Sequence, residues 1–455
     1  MKKVVKFITL GCKVNQYDTN AMAQKFLEKG YEAIEENSEN HNEKADICII
    51  NTCTVTNMSD RKSRQMLRRE KENNPSSIIV AVGCYAQVAK KELENIGEID
   101  LVLGNNEKVD IVKYVEKYIK EKEKQEEIED VMQTREFYDF GEITFTEKTR
   151  AVVKVQDGCD RFCSYCIIPY ARGRVRSRRP ENVIAEIKQI AEKGIKEVVI
   201  TGIHIASYGK DFVNSKDVKL KNYKLIDLLE EINKIEGIKR IRLGSIEPLL
   251  ITEEFMERLS KLEKICHHFH LSLQSGCDET LKRMNRRYTT EQFREIVKII
   301  RETYSDANLT TDIIVGFPGE SEEEFKKTYK FLSEIKFYKM HVFKYSQRKG
   351  TKAAVMPNQV PGDIKEQRSK ELIELSDKNE LEYNKFYVGK KVEVLWEETK
   401  NGVIKGHTQN YIEVIADIPN IDNTTNLNKD SVKLENEIKE STCIGVYKNE
   451  IKVEL

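Results

Sequence analysis

Three cysteines share one short stretch, Cys159-Asp160-Arg161-Phe162-Cys163-Ser164-Tyr165-Cys166. Three thiolates on one loop can hold three irons of a cubane cluster and leave the fourth open to a substrate or cofactor. A structural zinc site is the competing reading, but closed zinc sites need four ligands and no second Cys or His pair follows nearby. A second set, Cys12, Cys53 and Cys84, is dispersed at intervals of 41 and 31 residues, and each member closes a short apolar run. Taken singly these would be ordinary buried thiols. At the ends of three parallel strands they would converge on one sheet edge, where open α/β folds place their sites. Cys48 lies on the same strand as Cys53, roughly 16 Å away at about 3.3 Å per residue, so only Cys53 reaches the strand end and Cys48 is left to packing. Cys266, Cys277 and Cys443 lack triad spacing and read as structural thiols.

The elements that must position these groups follow from pattern. Residues 1 to about 118 alternate apolar runs (VVKFITL, ADICIIN, SIIVAVG) with amphipathic stretches at 18–29 and 60–72, the rhythm of a parallel sheet with crossover helices. Lys6 interrupts the first run, which makes it a strand and a poor export signal despite the lysines before it. Residues 119–147 are highly charged and weakly periodic, a linker. From 148 to 376 a strand-helix unit recurs six times (AVVKVQ, EVVITG, RIRLGS, HFHLSLQ, TTDIIVG, KMHVFKY), with helices at 181–193, 225–235 and 321–335 among the crossovers, as in a partial parallel (β/α)6 barrel. A charged helix over 363–386 leads into residues 377–455, whose alternating strands suggest a small β-barrel. The expected class is α/β throughout the first two units.

With 455 residues there is room for roughly three domains at about 150 residues each. Charged residues make up 33% and apolar ones 39%, and no apolar run is long enough to span a bilayer. Acidic and basic side chains balance at 76 each, so contact with a polyanion requires a local basic patch. Two candidates exist. Arg172, Arg174, Arg176, Arg178 and Arg179 crowd together just after the cysteine loop, either as a solvated charge run or as contacts to phosphates or to a cofactor carboxylate. Arg61, Lys62, Arg64, Arg68 and Arg69 on one helix extend that face or are merely exposed. Ten cysteines with no export signal fit reduced thiols and metal ligation in the cytoplasm.

Polar and glycine-bearing motifs follow the barrel strands in order: Thr201-Gly202-Ile203-His204, Ser245-Ile246-Glu247-Pro248, Gln274-Ser275-Gly276 and Ile314-Val315-Gly316-Phe317-Pro318-Gly319-Glu320. Each alone is ordinary turn chemistry. The C-x3-C-x2-C loop, with Tyr165 before its last cysteine, resembles the signature of radical S-adenosylmethionine (SAM) enzymes. With Cys12, Cys53 and Cys84 in the contexts LGCKVNQYDTN, NTC and VGC, the chain resembles the methylthiotransferases of that superfamily from near residue 3 to its end. The C-terminal strands are similar to the TRAM domain, a module associated with RNA binding.

That resemblance implies two [4Fe-4S] clusters, one at Cys159, Cys163 and Cys166 and an auxiliary one at Cys12, Cys53 and Cys84. It also implies SAM bound near Tyr165, Gly202, Glu247, Gln274 and Gly316, while the position of the arginine run beside the cysteine loop favours RNA contacts at Arg172, Arg174 and Arg176. One SAM would donate methyl to sulfur and a second would yield the 5'-deoxyadenosyl radical that activates a substrate C–H bond. The partners implied are tRNA and a reductant such as flavodoxin or ferredoxin, with no membrane. LGCKVNQYDTN and TGIHIASYG look most like the branch acting at C2 of N6-threonylcarbamoyladenosine 37. The isopentenyladenosine branch tends toward YGCQMN, and the branch acting on a ribosomal protein usually has Pro where Lys13 stands. An iron-sulfur RNA-binding protein without catalysis is the alternative of another class, and it would have no use for the ordered barrel motifs.

Overall fold

Every residue that the sequence places at a cluster lies where a parallel strand gives way to the next segment. The computed structural model describes residues 2–35, 44–122, 128–144, 149–418 and 434–455. Within the stretch 119–147, residues 123–127 and 145–147 lie outside the described residues, as does 148, where the central unit was expected to begin.

The N-terminal sheet is wholly parallel, with order β2-β1-β3-β4-β5 for β1 (Val4–Thr9), β2 (Glu32–Glu35), β3 (Ile47–Thr52), β4 (Ile78–Gly83) and β5 (Leu101–Leu103). The three apolar runs are the three central strands. The two flanking strands, four and three residues long, are too short to leave a periodic signal. Helices cover both faces, because strands buried on both sides demand it: Lys13–Glu28 packs Tyr17, Met22 and Phe26 on one side, and Asn57–Asn73 packs Leu67 on the other. The latter begins at Thr56, whose side chain accepts the Ser59 N–H. Lys6 is fully buried in β1 and pairs with Glu70 of that helix at 3.0 Å.

The central unit carries the six expected strands, β6 (Arg150–Asp157), β8 (Glu197–Gly202), β9 (Arg240–Leu243), β10 (His268–Gln274), β11 (Asn308–Val315) and β12 (Lys339–Lys344). They form two hydrogen-bonded groups, β6-β8-β9 and β10-β11-β12, linked by bridges at Ile241–Ile265 and Ile246–Leu271. The result is a six-stranded partial barrel, open between β6 and β12. A two-residue strand unforeseen from sequence, β7 (Arg176–Ser177), pairs antiparallel with the end of β6.

The C-terminal unit is a closed five-stranded barrel, TRAM-like in form, of order β13-β14-β15-β17-β16 for β13 (Lys391–Lys400), β14 (Val403–Thr408), β15 (Glu413–Asp417), β16 (Ile438–Tyr447) and β17 (Glu450–Glu454). Trp396, the only tryptophan, is buried in its core. A single helix, Gly362–Tyr387, leads into it, placing Leu372 and Leu375 in the central core and Tyr387 in the barrel core. It runs unbroken through residue 376, the expected end of the central unit.

Candidate active site

Cys12 immediately precedes the helix Lys13–Glu28, Cys53 directly follows β3, and Cys84 begins the short helix after β4. Because β1, β3 and β4 are neighbours in the sheet, the three thiols share one edge. Gly11 is packed so closely that a Cβ there would lie 2.9 Å from Cys53 Sγ. Burial pushes the Cys53 thiol up to about 11, and Cys84 and Cys12 facing it push the same way. In the other triad burial raises Cys159 to about 11 and Cys166 to about 12, with Cys163 adding to both. Cys159 Sγ accepts the Arg161 N–H at 3.4 Å, and Cys163 Sγ accepts from Arg286 Nη1 at 3.4 Å.

Crowded, half-desolvated thiols of this kind resist ionising alone, whereas a metal deprotonates a coordinating thiol outright. N–H groups aimed at sulfur favour the anionic form. Among the described residues, no three His, Cys, Asp or Glu side chains are gathered around a single-ion site. The loop triad has the donor chemistry and spacing of a [4Fe-4S] ligand set, and Cys12, Cys53 and Cys84 lie at neighbouring strand ends on one sheet edge.

A cavity of about 860 Å³ opens on the loop triad and is lined by Cys12, Cys159, Cys163 and Cys166 together. Tyr165, Gly202, Glu247 and Gln274 also line it. A Cβ at Gly202 would meet the Gln156 carbonyl oxygen at 2.8 Å, so only glycine lets β8 approach the end of β6 here. Gln156 in turn accepts the His204 N–H at 2.7 Å. Gln274 holds φ 72, a left-handed conformation that costs a non-glycine residue of order 1 kcal/mol and marks functional strand ends. Glu247 pairs with Arg161 at 2.7 Å. Burial and the Arg161 charge hold the His204 imidazole down to about 3, leaving it neutral.

Three expected site residues are placed otherwise. Gly316 is not on the cavity: it turns at φ 68, donates its N–H to Glu320 at 2.8 Å, and packs against the Lys365 stem. Its glycine serves a turn. Arg172 and Arg176 are only 1% and 3% exposed, which rules out direct RNA contact. Arg172 donates to Cys84 Sγ at 3.2 Å and pairs with Asp18 at 3.0 Å and Asp157 at 3.1 Å; Arg176 Nη2 donates to the Arg172 carbonyl at 2.6 Å. Arg178 is equally buried, paired with Glu186 and Asp139 at 2.8 Å each. Only Arg174 and Arg179 of that run face solvent. On the helix Asn57–Asn73, Arg61, Lys62 and Arg68 are exposed while Arg64 pairs with Glu92 at 2.9 Å. Cys48, Cys266, Cys277 and Cys443 are all buried, Cys48 in the core cluster that also contains Cys53.

Sequence reasoning missed Arg161 and Arg286, which brace the cysteine loop, and the far wall of the cavity built from His268, His270, His341 and Tyr411. Arg161 lay in view between two of the cysteines. Tyr411 had no local signal, since it reaches the cavity from the C-terminal barrel.

Residues 153–332 match the model of the radical SAM superfamily, and residues 4–104 match that of uncharacterized protein family UPF0004. The chain is 42% identical over 417 residues to a threonylcarbamoyladenosine tRNA methylthiotransferase of Bacillus subtilis, with 90% of each chain covered. A protein of the same name from Aquifex aeolicus is also 42% identical, over 90% of this chain and 96% of its own. A tRNA-2-methylthio-N(6)-dimethylallyladenosine synthase of Caldicellulosiruptor saccharolyticus is 38% identical over 90% of this chain and 85% of its own.

The chain belongs to the radical SAM tRNA methylthiotransferases.

As a methylthiotransferase of this superfamily it is an enzyme that uses SAM and a [4Fe-4S] cluster. Among solved structures it is similar to the radical SAM methyltransferase TsrM of Kitasatospora setae, at a TM-score of 0.53 and 15% identity, covering 78% of this chain and 77% of that one. That likeness concerns the fold. No helix among the described residues is long and apolar enough to cross a membrane.

Proposed function

We propose that this methylthiotransferase converts N6-threonylcarbamoyladenosine 37 of tRNA to its 2-methylthio derivative, using a second [4Fe-4S] cluster at Cys12, Cys53 and Cys84. The observation that carries the two-cluster reading is the single cavity shared by Cys12 and by all three thiols of the loop triad. The substrate reading is supported by the two relatives at 42% identity that bear that substrate in their names.

Cys159, Cys163 and Cys166 would hold a [4Fe-4S] cluster that, with SAM and one electron from a reductant, would supply a 5'-deoxyadenosyl radical. This chain's own residues do the positioning. Gly202, Gln274, Tyr165 and the Glu247–Arg161 pair form the walls within which a nucleoside and an amino-acid moiety are held. Placing Cys12 of the N-terminal triad and the loop triad on one cavity would turn a bimolecular encounter into an oriented one. The exposed cations of Asn57–Asn73, with Arg174 and Arg179, are the basic surface available to tRNA phosphates, and a flavodoxin or ferredoxin would deliver electrons in the cytoplasm.

The test is mass spectrometry of tRNA nucleosides from cells lacking their own threonylcarbamoyladenosine methylthiotransferase, with and without this gene. Gene-dependent 2-methylthio-N6-threonylcarbamoyladenosine is the expected product. Its absence, with iron-loaded protein expressed, would transfer the substrate reading to isopentenyladenosine or a ribosomal protein.

A further inference from the structure

The far wall of the cavity concentrates positive charge around one phenol. Tyr411 enters from the C-terminal barrel at φ 68 and is clamped between His268 and His407, with ring centroids 4.7 and 4.6 Å away. The Arg242 and Arg150 guanidinium groups stand over its ring at 4.5 and 5.2 Å, and the Lys13 ammonium at 5.9 Å. Two of these cations are neutralised. Glu197 takes Arg242 through bonds of 2.6 and 3.2 Å, and Glu397 takes Arg150 at 3.0 Å.

Lys13 has no ion-pair partner among the described residues, although it lines the cavity. The carboxylates of that lining are engaged elsewhere: Glu247 by Arg161 at 2.7 Å, Asp312 by His270 at 3.3 Å, Glu380 by Lys339 at 2.9 Å and Glu413 by Lys405 at 3.1 Å. Lys13 is exposed on that lining, and an ammonium that faces other cations with no carboxylate of its own attracts an anion to the cavity. Its position beside Cys12 puts it next to the thiols proposed to handle sulfur.

We propose that Lys13 and the rim of Tyr411 form a subsite for a substrate carboxylate, which Lys13 positions by a charge-assisted hydrogen bond. On the substrate reading above, on which this rests, that carboxylate belongs to the threonyl group at N6 of adenosine 37. An isopentenyl group carries no charge and would leave the ammonium unanswered.

The test uses two synthetic anticodon stem-loops, one with N6-threonylcarbamoyladenosine and one whose threonyl carboxylate is converted to the primary amide. Wild-type enzyme should prefer the carboxylate by about 10- to 100-fold in kcat/KM, the scale of one hydrogen bond between charged partners. Lys13→Gln should collapse that preference toward unity by slowing only the carboxylate substrate, and Lys13→Arg should keep it. An unchanged preference in Lys13→Gln, or an equal loss on both substrates, overturns the subsite. Failure of wild-type enzyme on both stem-loops, while it still cleaves SAM, overturns the substrate reading itself and the subsite with it.

Discussion

Arg172 shows how a single side chain ties the two cysteine sets together. It closes the short helix Ile168–Arg172 that follows Cys166, yet its Nε donates to Cys84 Sγ at 3.2 Å, and its Nη2 donates to Asn15 Oδ1 at 2.5 Å beside Cys12. Hydrogen bonds to ligand sulfur tune the potential of an iron-sulfur centre. Arg172→Met keeps much of the volume and removes the donor, so product formation should fall by about 10- to 100-fold while SAM cleavage persists. Electron paramagnetic resonance of the reduced protein should show an altered signal from the auxiliary cluster alone. An unaltered signal would reduce Arg172 to a structural ion pair. The cysteines were legible because ligand chemistry leaves a spacing in the chain. Arg172 was not, since charge in a sequence reads as surface until its partners, Asp18 at 3.0 Å and Asp157 at 3.1 Å, are known.

Elements were readable where their period was long. The six barrel strands and the helices Pro180–Glu192 and Glu322–Ile335 follow the hydrophobic pattern closely. The arginine run escaped because its period of two is itself a strand signal: Arg176 lies in β7, which pairs with β6 through Asp157 and Gln156. The helix Gly362–Tyr387 was expected as a connector, but its apolar residues serve two cores at once. Leu372, fully buried, should cost about 2–5 kcal/mol when truncated to Ala, through lost burial and the cavity left behind. Because the helix also anchors Tyr387 in the C-terminal barrel, denaturant unfolding of Leu372→Ala should shift central and C-terminal signals together. Trp396, buried in that barrel, reports the C-terminal part by fluorescence. A Trp396 midpoint unmoved by Leu372→Ala would show that the helix does not couple the two.

At the scale of the whole molecule, the shared cavity exists only because the N-terminal sheet is held against the partial barrel. Beside links such as Arg348 to Asp60 at 2.7 Å and Tyr17 to Glu186 at 3.0 Å, that hold passes through Asp18, a fully buried carboxylate on the helix that begins at Lys13. It meets Lys108 of its own unit at 2.8 Å, and across the junction Lys154 of β6 at 2.7 Å and Arg172 at 3.0 Å. Burial works against its charge, but Lys108, Lys154 and Arg172 outweigh burial and hold its carboxyl well below the usual carboxylate range. A carboxylate depressed on folding contributes stability above its unfolded pKa, and that contribution is lost only as pH falls through the lower folded value. The junction should therefore be insensitive between neutral pH and mild acid. Asp18→Asn removes the anion and leaves buried cations facing one another, a change worth about 3–5 kcal/mol for a buried pair. The variant should melt at lower temperature at pH 7, and it should approach wild type in strong acid, where the native carboxylate is also protonated. Since Asp18 fixes the helix that positions Cys12 and Lys13, methylthio transfer should fall further than SAM cleavage, which depends on the loop triad within the barrel. A variant that melts like wild type at neutral pH, or loses both activities in parallel, would show that the two units are held together elsewhere.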